Sequence, residues 1–197
     1  MPTPIILATA NMDKVREFRQ ILPEAYEIIT MQEAGFCGTI DENGTSFTEN
    51  ALIKARAVHK KIGGMVLADD SGLSVDVLDG APGLYSARFA GEAADYPTKI
   101  ALLHQWLKPW PPSQWQASFI CAIALVLPDG SEQTVLGDCR GMIAPEPRGD
   151  HGFGYDPIFL LPDGSRTMAE LPDDEKNKIS HRGIALRKMA DILAKRA

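Results

Sequence analysis

Two carboxylates stand where the chain passes from apolar to polar. The uncharged run Gly64-Met65-Val66-Leu67-Ala68 leads directly into Asp69, Asp70, Ser71 and Gly72. Taking a carboxylate out of water costs roughly several kcal/mol, so acids at the end of a core strand need water, a metal ion or donor groups around them. Side chains alternate along a strand, which sends Asp69 and Asp70 to opposite faces. That favours one chemical carboxylate with a structural neighbour over a catalytic pair. Ser71-Gly72 reads as the turn that leaves the strand.

Two further clusters have the composition of sites. In the first, Gly149, Gly152 and Gly154 are interleaved with Phe153, Tyr155 and Asp156. Such a stretch suits backbone lying close to a ligand, with flat aromatic faces and a carboxylate beside it; it equally suits a tight turn backed by core aromatics. The second gathers Asp173, Asp174, Glu175, Lys176, Lys178, His181 and Arg182 immediately before a final helix. A solvated helix end accounts for those charges, whereas His181 with Arg182 could instead bind an anion or read a base. The four histidines are spread singly without metal-ligand spacing, which argues against structural zinc. Ser71 lacks a Gly-x-Ser-x-Gly elbow, which argues against a serine hydrolase.

These groups need a strand–helix framework to position them. Residues 4–9 read as a buried strand and residues 13–22 as a helix, with Val15, Phe18, Ile21 and Leu22 at helical spacing. Asn11 fits the N-cap of that helix; with Lys14 it also has the makings of an anion site, where unpaired amides and a lysine meet phosphate. Residues 26–30 read as a second strand. Ser46-Phe47-Thr48-Glu49 has capping-box spacing, followed by a stripe of Ala51, Leu52, Ala55, Val58 and Ile62. Glu49 either serves that cap or points toward the carboxylates of the next strand. Residues 97–107 predict a helix, residues 116–127 and 131–141 a pair of strands around Pro128-Asp129-Gly130, and residues 183–195 a last helix. The tryptophan- and proline-rich stretch 106–115 reads as a packed connection first and a partner surface second, and is the nearest thing to a lobe boundary. Strand–helix units followed by hairpins make a mixed sheet in an α/β fold.

Composition narrows the class. The 197 residues carry 20 Lys plus Arg against 26 Asp plus Glu, a net charge of −6. The molecule as a whole therefore offers no basic field to nucleic acid, although a local basic pocket stays possible. Three widely spaced cysteines (Cys37, Cys121, Cys139) without a Cys-x-x-Cys pattern point to reduced thiols and a cytoplasmic location. No signal-peptide pattern opens the chain, and no apolar run approaches the roughly 18 residues of a membrane span.

Taken in order, several islands resemble one family. They are Ala8-Thr9-Ala10-Asn11-Met12-Asp13-Lys14, Thr45 to Arg56, Ala68-Asp69-Asp70-Ser71-Gly72-Leu73, Gly80 to Arg88, Gly152 to Phe159, and Lys176 to Gly183. Together they resemble the inosine triphosphate pyrophosphatases, the Ham1-like enzymes that hydrolyse non-canonical purine nucleoside triphosphates. The resemblance implies a single domain over residues 1–197: an elongated mixed sheet flanked by helices, with two lobes and a substrate cleft between them. It implies Mg2+ as cofactor, a homodimer, and hydrolysis of ITP, dITP and XTP to monophosphate and pyrophosphate. By the same resemblance Thr9, Ala10, Asn11 and Lys14 hold the triphosphate, and Lys54, Ser71 and Lys176 touch phosphate or sugar. Asp70 is the general base and a Mg2+ ligand, with Glu42 as the second ligand or Glu49 in its place. Phe153, Gly154, Tyr155 and Asp156, with His181 and Arg182, enclose the base. The chain departs from the family in reading Ala10 where glycine is usual, which the loop tolerates if that residue needs no positive φ. Asn43 also replaces a common threonine before Gly44. Rival readings are a hydrolase of modified pyrimidine or methylated nucleotides, and a nucleotide-binding or interaction module without catalysis.

Overall fold

The computed structural model describes residues 1–195. The elements run β1 (Thr3–Leu7), α1 (Met12–Ile21), β2 (Tyr26–Thr30), α2 (Phe47–Ile62), β3 (Val66–Val75), α3 (Tyr96–Leu107), β4 (Gln116–Val126), β5 (Glu132–Ile143), β6 (Phe159–Leu160), α4 (Asp173–Ile179) and α5 (His181–Ala194). The strands form one six-stranded sheet in the order β2-β1-β3-β4-β5-β6. β1 lies parallel to both β2 and β3, whereas β5 and β6 are antiparallel, so the sheet is mixed and the fold α/β as expected.

The chain forms two compact units. The first comprises Met1–Asp70, Cys121–Gly137 and the C-terminal segment from His181; the second comprises Ser71–Ile120 and Asp138–Ser180. Their boundaries fall inside β3, β4 and β5 and ahead of α5, not at the tryptophan-rich stretch. That stretch belongs to the second unit, where Trp115 is buried and its indole N–H donates to the Trp110 carbonyl at 3.0 Å.

In the first unit the period-2 alternation of strands sorts side chains into two cores. Ile5, Leu7, Leu67, Cys121 and Ile123 pack with Val15 and Phe18 of α1 and with Ala185, Leu186 and Met189 of α5. Ile6, Ala8, Val66, Ala68, Ala122 and Ala124 pack instead with Ala51, Ala55 and Val58 of α2. Small alanines on the α2 face let that helix approach closely, while the other face takes the larger side chains. The second unit has its own core of Leu73, Val75, Leu103, Leu107, Phe119, Ile143, Phe159 and Met168.

Three sequence expectations need correction. Ser71-Gly72 is no turn, because β3 continues through it to Val75; a serine and a glycine interrupt the apolar pattern without breaking the strand's hydrogen bonding. The charged stretch before the last helix is itself mostly helical, as α4. His181 and Arg182 do not precede the last helix but begin it, and both are buried.

Candidate active site

β3 delivers Asp69 and Asp70 to opposite faces, as alternation requires. On the α2 face, Asp70 accepts a hydrogen bond at Oδ2 from Asn50 Nδ2 (3.1 Å) and faces Lys54 Nζ at Oδ1 (3.4 Å). Asn50 and Lys54 are four residues apart on α2, hence on one side of the helix. The Lys54 ammonium also contacts Glu42 Oε2 at 2.6 Å, so two carboxylates from distant segments converge on one cation. Burial alone would lower the Lys54 pKa. The charges of Asp70, Asp69 and Glu42 outweigh it and hold that pKa above the ordinary lysine value. Glu49 lies elsewhere: its carboxylate accepts from the Thr45 amide (2.6 Å) and hydroxyl (2.8 Å), while its amide donates to Ser46 Oγ.

On the opposite face Asp69 is fully buried. Its Oδ2 takes Lys14 Nζ at 3.0 Å and both Nε and Nη2 of Arg182 at 3.1 Å, while its Oδ1 has no hydrogen-bond partner among the described residues. Arg182 turns its remaining nitrogen to Glu17 Oε2 at 2.5 Å. Burial would raise the Asp69 pKa, but Lys14, Arg182 and Lys54 together hold it well below the usual carboxylate range. Cys121 sits 4.0 Å from Asp69, and burial followed by that negative charge pushes its thiol up to about 12. Lys14 comes from the first turn of α1, whose N-cap is Asn11: its Oδ1 accepts the amides of Asp13 (2.9 Å) and Lys14 (3.3 Å). Thr9 Oγ1 accepts the Asn11 amide. Ala10 adopts no positive φ, which satisfies the condition set for its extra methyl.

The second unit holds the aromatic group. Asp156 and Lys176 form a buried ion pair at 2.7 Å, and Asp156 Oδ2 also accepts the Phe153 amide at 2.9 Å. Lys176 Nζ lies 4.7 Å from the Phe153 ring centroid. A Cβ on Gly152 would fall 2.2 Å from Asp156 Oδ2, so this glycine makes room for the ion pair. Gly154 faces the Tyr96 ring, which meets Tyr155 edge to face at 5.4 Å. Burial, then Tyr96, pushes the Tyr155 phenol up, keeping it a neutral donor to the Ser86 carbonyl at 3.1 Å. Ser71 is partly buried, in mid-strand on β3.

Within the first unit the fold thus brings together Thr9, Ala10, Asn11 and Lys14 at the head of α1, Arg182 and Asp69 behind them, and Asp70, Lys54 and Glu42 on the α2 face. Phe153, Gly154, Tyr155, Asp156 and Lys176 form their own group in the second unit. Sequence reasoning passed over Glu17 and Asn50. Each carried a signal: Glu17 is an acid one turn after Lys14 on a helix of known stripe, and Asn50 lies one turn before Lys54.

Among the described residues no three His, Cys, Asp or Glu side chains gather as a metal cage. Mg2+ seldom needs one, since it is commonly held by one or two carboxylates together with substrate phosphates and water. Glu42 and Asp70, whose oxygens already share the Lys54 ammonium, fit that requirement.

Comparison with known proteins identifies the family. The Ham1 family profile matches residues 5–192. A dITP/XTP pyrophosphatase of Bacillus subtilis (strain 168) is 51% identical over 189 residues, covering 95% of this chain and 96% of its own. The structure of a HAM1 protein from Coxiella burnetii superposes with a TM-score of 0.89 at 42% identity, covering 98% of this chain and 99% of the other. That of the Staphylococcus aureus Ham1 protein gives 0.88 at 37% identity over 98% of this chain and all of its own. With a profile spanning nearly every described residue and relatives that match along their whole length, the chain belongs to the Ham1 family.

Proposed function

We propose that this protein is a Mg2+-dependent pyrophosphatase that hydrolyses non-canonical purine nucleoside triphosphates (ITP, dITP and XTP) to the nucleoside monophosphate and pyrophosphate. The observation that carries the reading is the convergence of Glu42 and Asp70 on the Lys54 ammonium, with the Asp70 side chain still 14% exposed to water. Relatives named dITP/XTP pyrophosphatase support the substrate class.

In this reading Asp70 accepts the proton of the attacking water. Lys14 and the Thr9-Ala10-Asn11 loop bind the triphosphate at the positive end of α1. Lys54, Ser71 and Lys176 add contacts to phosphate or sugar. Glu42 and Asp70 would hold Mg2+, which supplies charge neutralisation for the leaving pyrophosphate. Phe153, Gly154, Tyr155 and Asp156 take the purine, with His181 and Arg182 completing its surroundings. Glu17 and Asp69 hold the Arg182 guanidinium in one orientation. Donors aimed at a 6-oxo group would meet the 6-amino donor of adenine, leaving groups unsatisfied at about 1–3 kcal/mol each. A homodimer and a cytoplasmic location complete the proposal, the former checked by light scattering on the purified protein.

The test is pyrophosphate release from ITP, dITP, XTP, dUTP, GTP and ATP, with and without Mg2+. The reading expects Mg2+-dependent turnover with kcat/KM for the first three well above that for ATP and dUTP. Equal rates on ATP, or turnover unaffected by chelation, would overturn it.

A further inference from the structure

We infer that Asn50 is a positioning residue that locks the Gly44 loop, and with it Glu42, onto Asp70; the inference rests on the function proposed above. Asn50 is 2% exposed and spends both ends of its amide on this task. Nδ2 donates to Asp70 Oδ2 at 3.1 Å, and Oδ1 accepts the Gly44 N–H at 2.8 Å. No other side chain type of this size offers a donor and an acceptor at that separation.

The loop end of the clamp is built for close approach. A Cβ on Gly44 would lie 2.8 Å from Asn50 Oδ1 and 2.7 Å from Glu49 Cβ, so any larger residue pushes the loop off the helix. Gly44 has no positive φ, so space and not backbone conformation sets this requirement. Thr45 is held in turn by Glu49, at 2.6 and 2.8 Å. The segment carrying Glu42 is therefore tied to the first turn of α2. Asn50 is the bond that runs on from it to the proposed base. Lys54, one turn later, grips the other Asp70 oxygen and Glu42. Together the two helix residues fix the direction of both carboxylates before any ligand binds, which is the condition for low reorganisation cost during reaction.

Three variants separate this role from mere packing: Asn50→Ala removes both bonds, Asn50→Asp keeps the acceptor for Gly44 but sets a second carboxylate against Asp70 in place of the donor, and Gly44→Ala strains the clamp from the loop side. Thermal melts first establish that each is folded; Gly44 lies in a loop, so its variant keeps the test alive if the Asn50 variants fail to fold. Amide hydrogen exchange at residue 44 reads the clamp without any reaction. Protection should be lost at least tenfold in Asn50→Ala and kept in Asn50→Asp. With ITP and Mg2+, kcat should fall about 10- to 100-fold in all three while KM changes less than threefold, as expected for a misplaced reacting group. Unchanged protection in Asn50→Ala, or kcat within twofold of wild type in any folded variant, would overturn the inference. A wild-type protein without turnover would instead sink the proposed function, and the exchange result would still decide whether Asn50 holds the loop.

Discussion

On the α1–α5 face of β3, Asp69 is shut away from water with Lys14 and Arg182 both on Oδ2. One residue later, on the α2 face, Asp70 keeps 14% of its side chain exposed and divides its oxygens between Asn50 and Lys54. The two acids share a strand, and the pleat alone separates them. Asp69 is surrounded by more positive charge than it can offset, so it stays ionised and orients the cations around it. Asp70 is held by one neutral donor and one cation that it shares with Glu42, an arrangement that leaves it able to act on water. Neighbouring carboxylates therefore need not form a catalytic pair; alternation across the sheet gives Asp69 a charge-organising environment and leaves Asp70 for the base role proposed above.

Breaking this division should give different signatures. Asp70→Asn should lower kcat for ITP by about 10³-fold while the melting temperature moves by about 2 °C or less, because general-base removal costs rate and not packing. Enzyme kinetics paired with a thermal melt checks both halves. Asp69→Asn should act the other way round. It strips the buried Arg182 and the partly buried Lys14 of their shared partner, at roughly 3–5 kcal/mol, so the melting temperature should fall by about 10 °C and kcat by less than in Asp70→Asn.

Acid titration sharpens the contrast. Because the folded pKa of Asp69 lies below its unfolded value near 4, the stabilisation it gives is complete above that pH. It is lost progressively as the pH falls toward the folded value. The gap in urea midpoint between wild type and Asp69→Asn should thus be widest at pH 6–7 and narrow steadily below about pH 4. A gap independent of pH would refute the charge-based account. On the Asp70 side, Lys54→Met should lower kcat/KM for ITP at least tenfold, through loss of a charged hydrogen bond to substrate and of the cation that orients Asp70 and Glu42. The smallest effect belongs to Arg56→Ala. Arg56 pairs with Glu132 at 2.6 Å on an exposed surface, so its loss should cost under about 1 kcal/mol and leave kcat unaltered.

Much of this was legible in the sequence. Alternation predicted the opposite facing of Asp69 and Asp70, and the Asn11 and Ser46 caps were readable from residue type and spacing. Where the reading fell short, the reason was physical. Ser71-Gly72 has turn chemistry, but β3 runs through it beside β4, well past the point at Leu67 where its pairing with β1 stops. For Arg182 the residues alone left a solvated helix end and an anion or base site both open, because sequence does not reveal that its guanidinium meets Glu17 and Asp69, 165 and 113 residues away. Asn50 was hidden for a similar reason: its two partners, Gly44 and Asp70, are 6 and 20 residues distant, and no local pattern marks a residue whose work is to join them.

The most direct measurement is a crystal structure of the protein with Mg2+ and a non-hydrolysable imido analogue of ITP. The account predicts triphosphate oxygens within hydrogen-bond distance of Lys14 and the cation in contact with Asp70, with Asp69 still gripped by Arg182. Phosphates bound well away from both Lys14 and Asp70, or a cation held by Asp69 in place of Asp70, would contradict it.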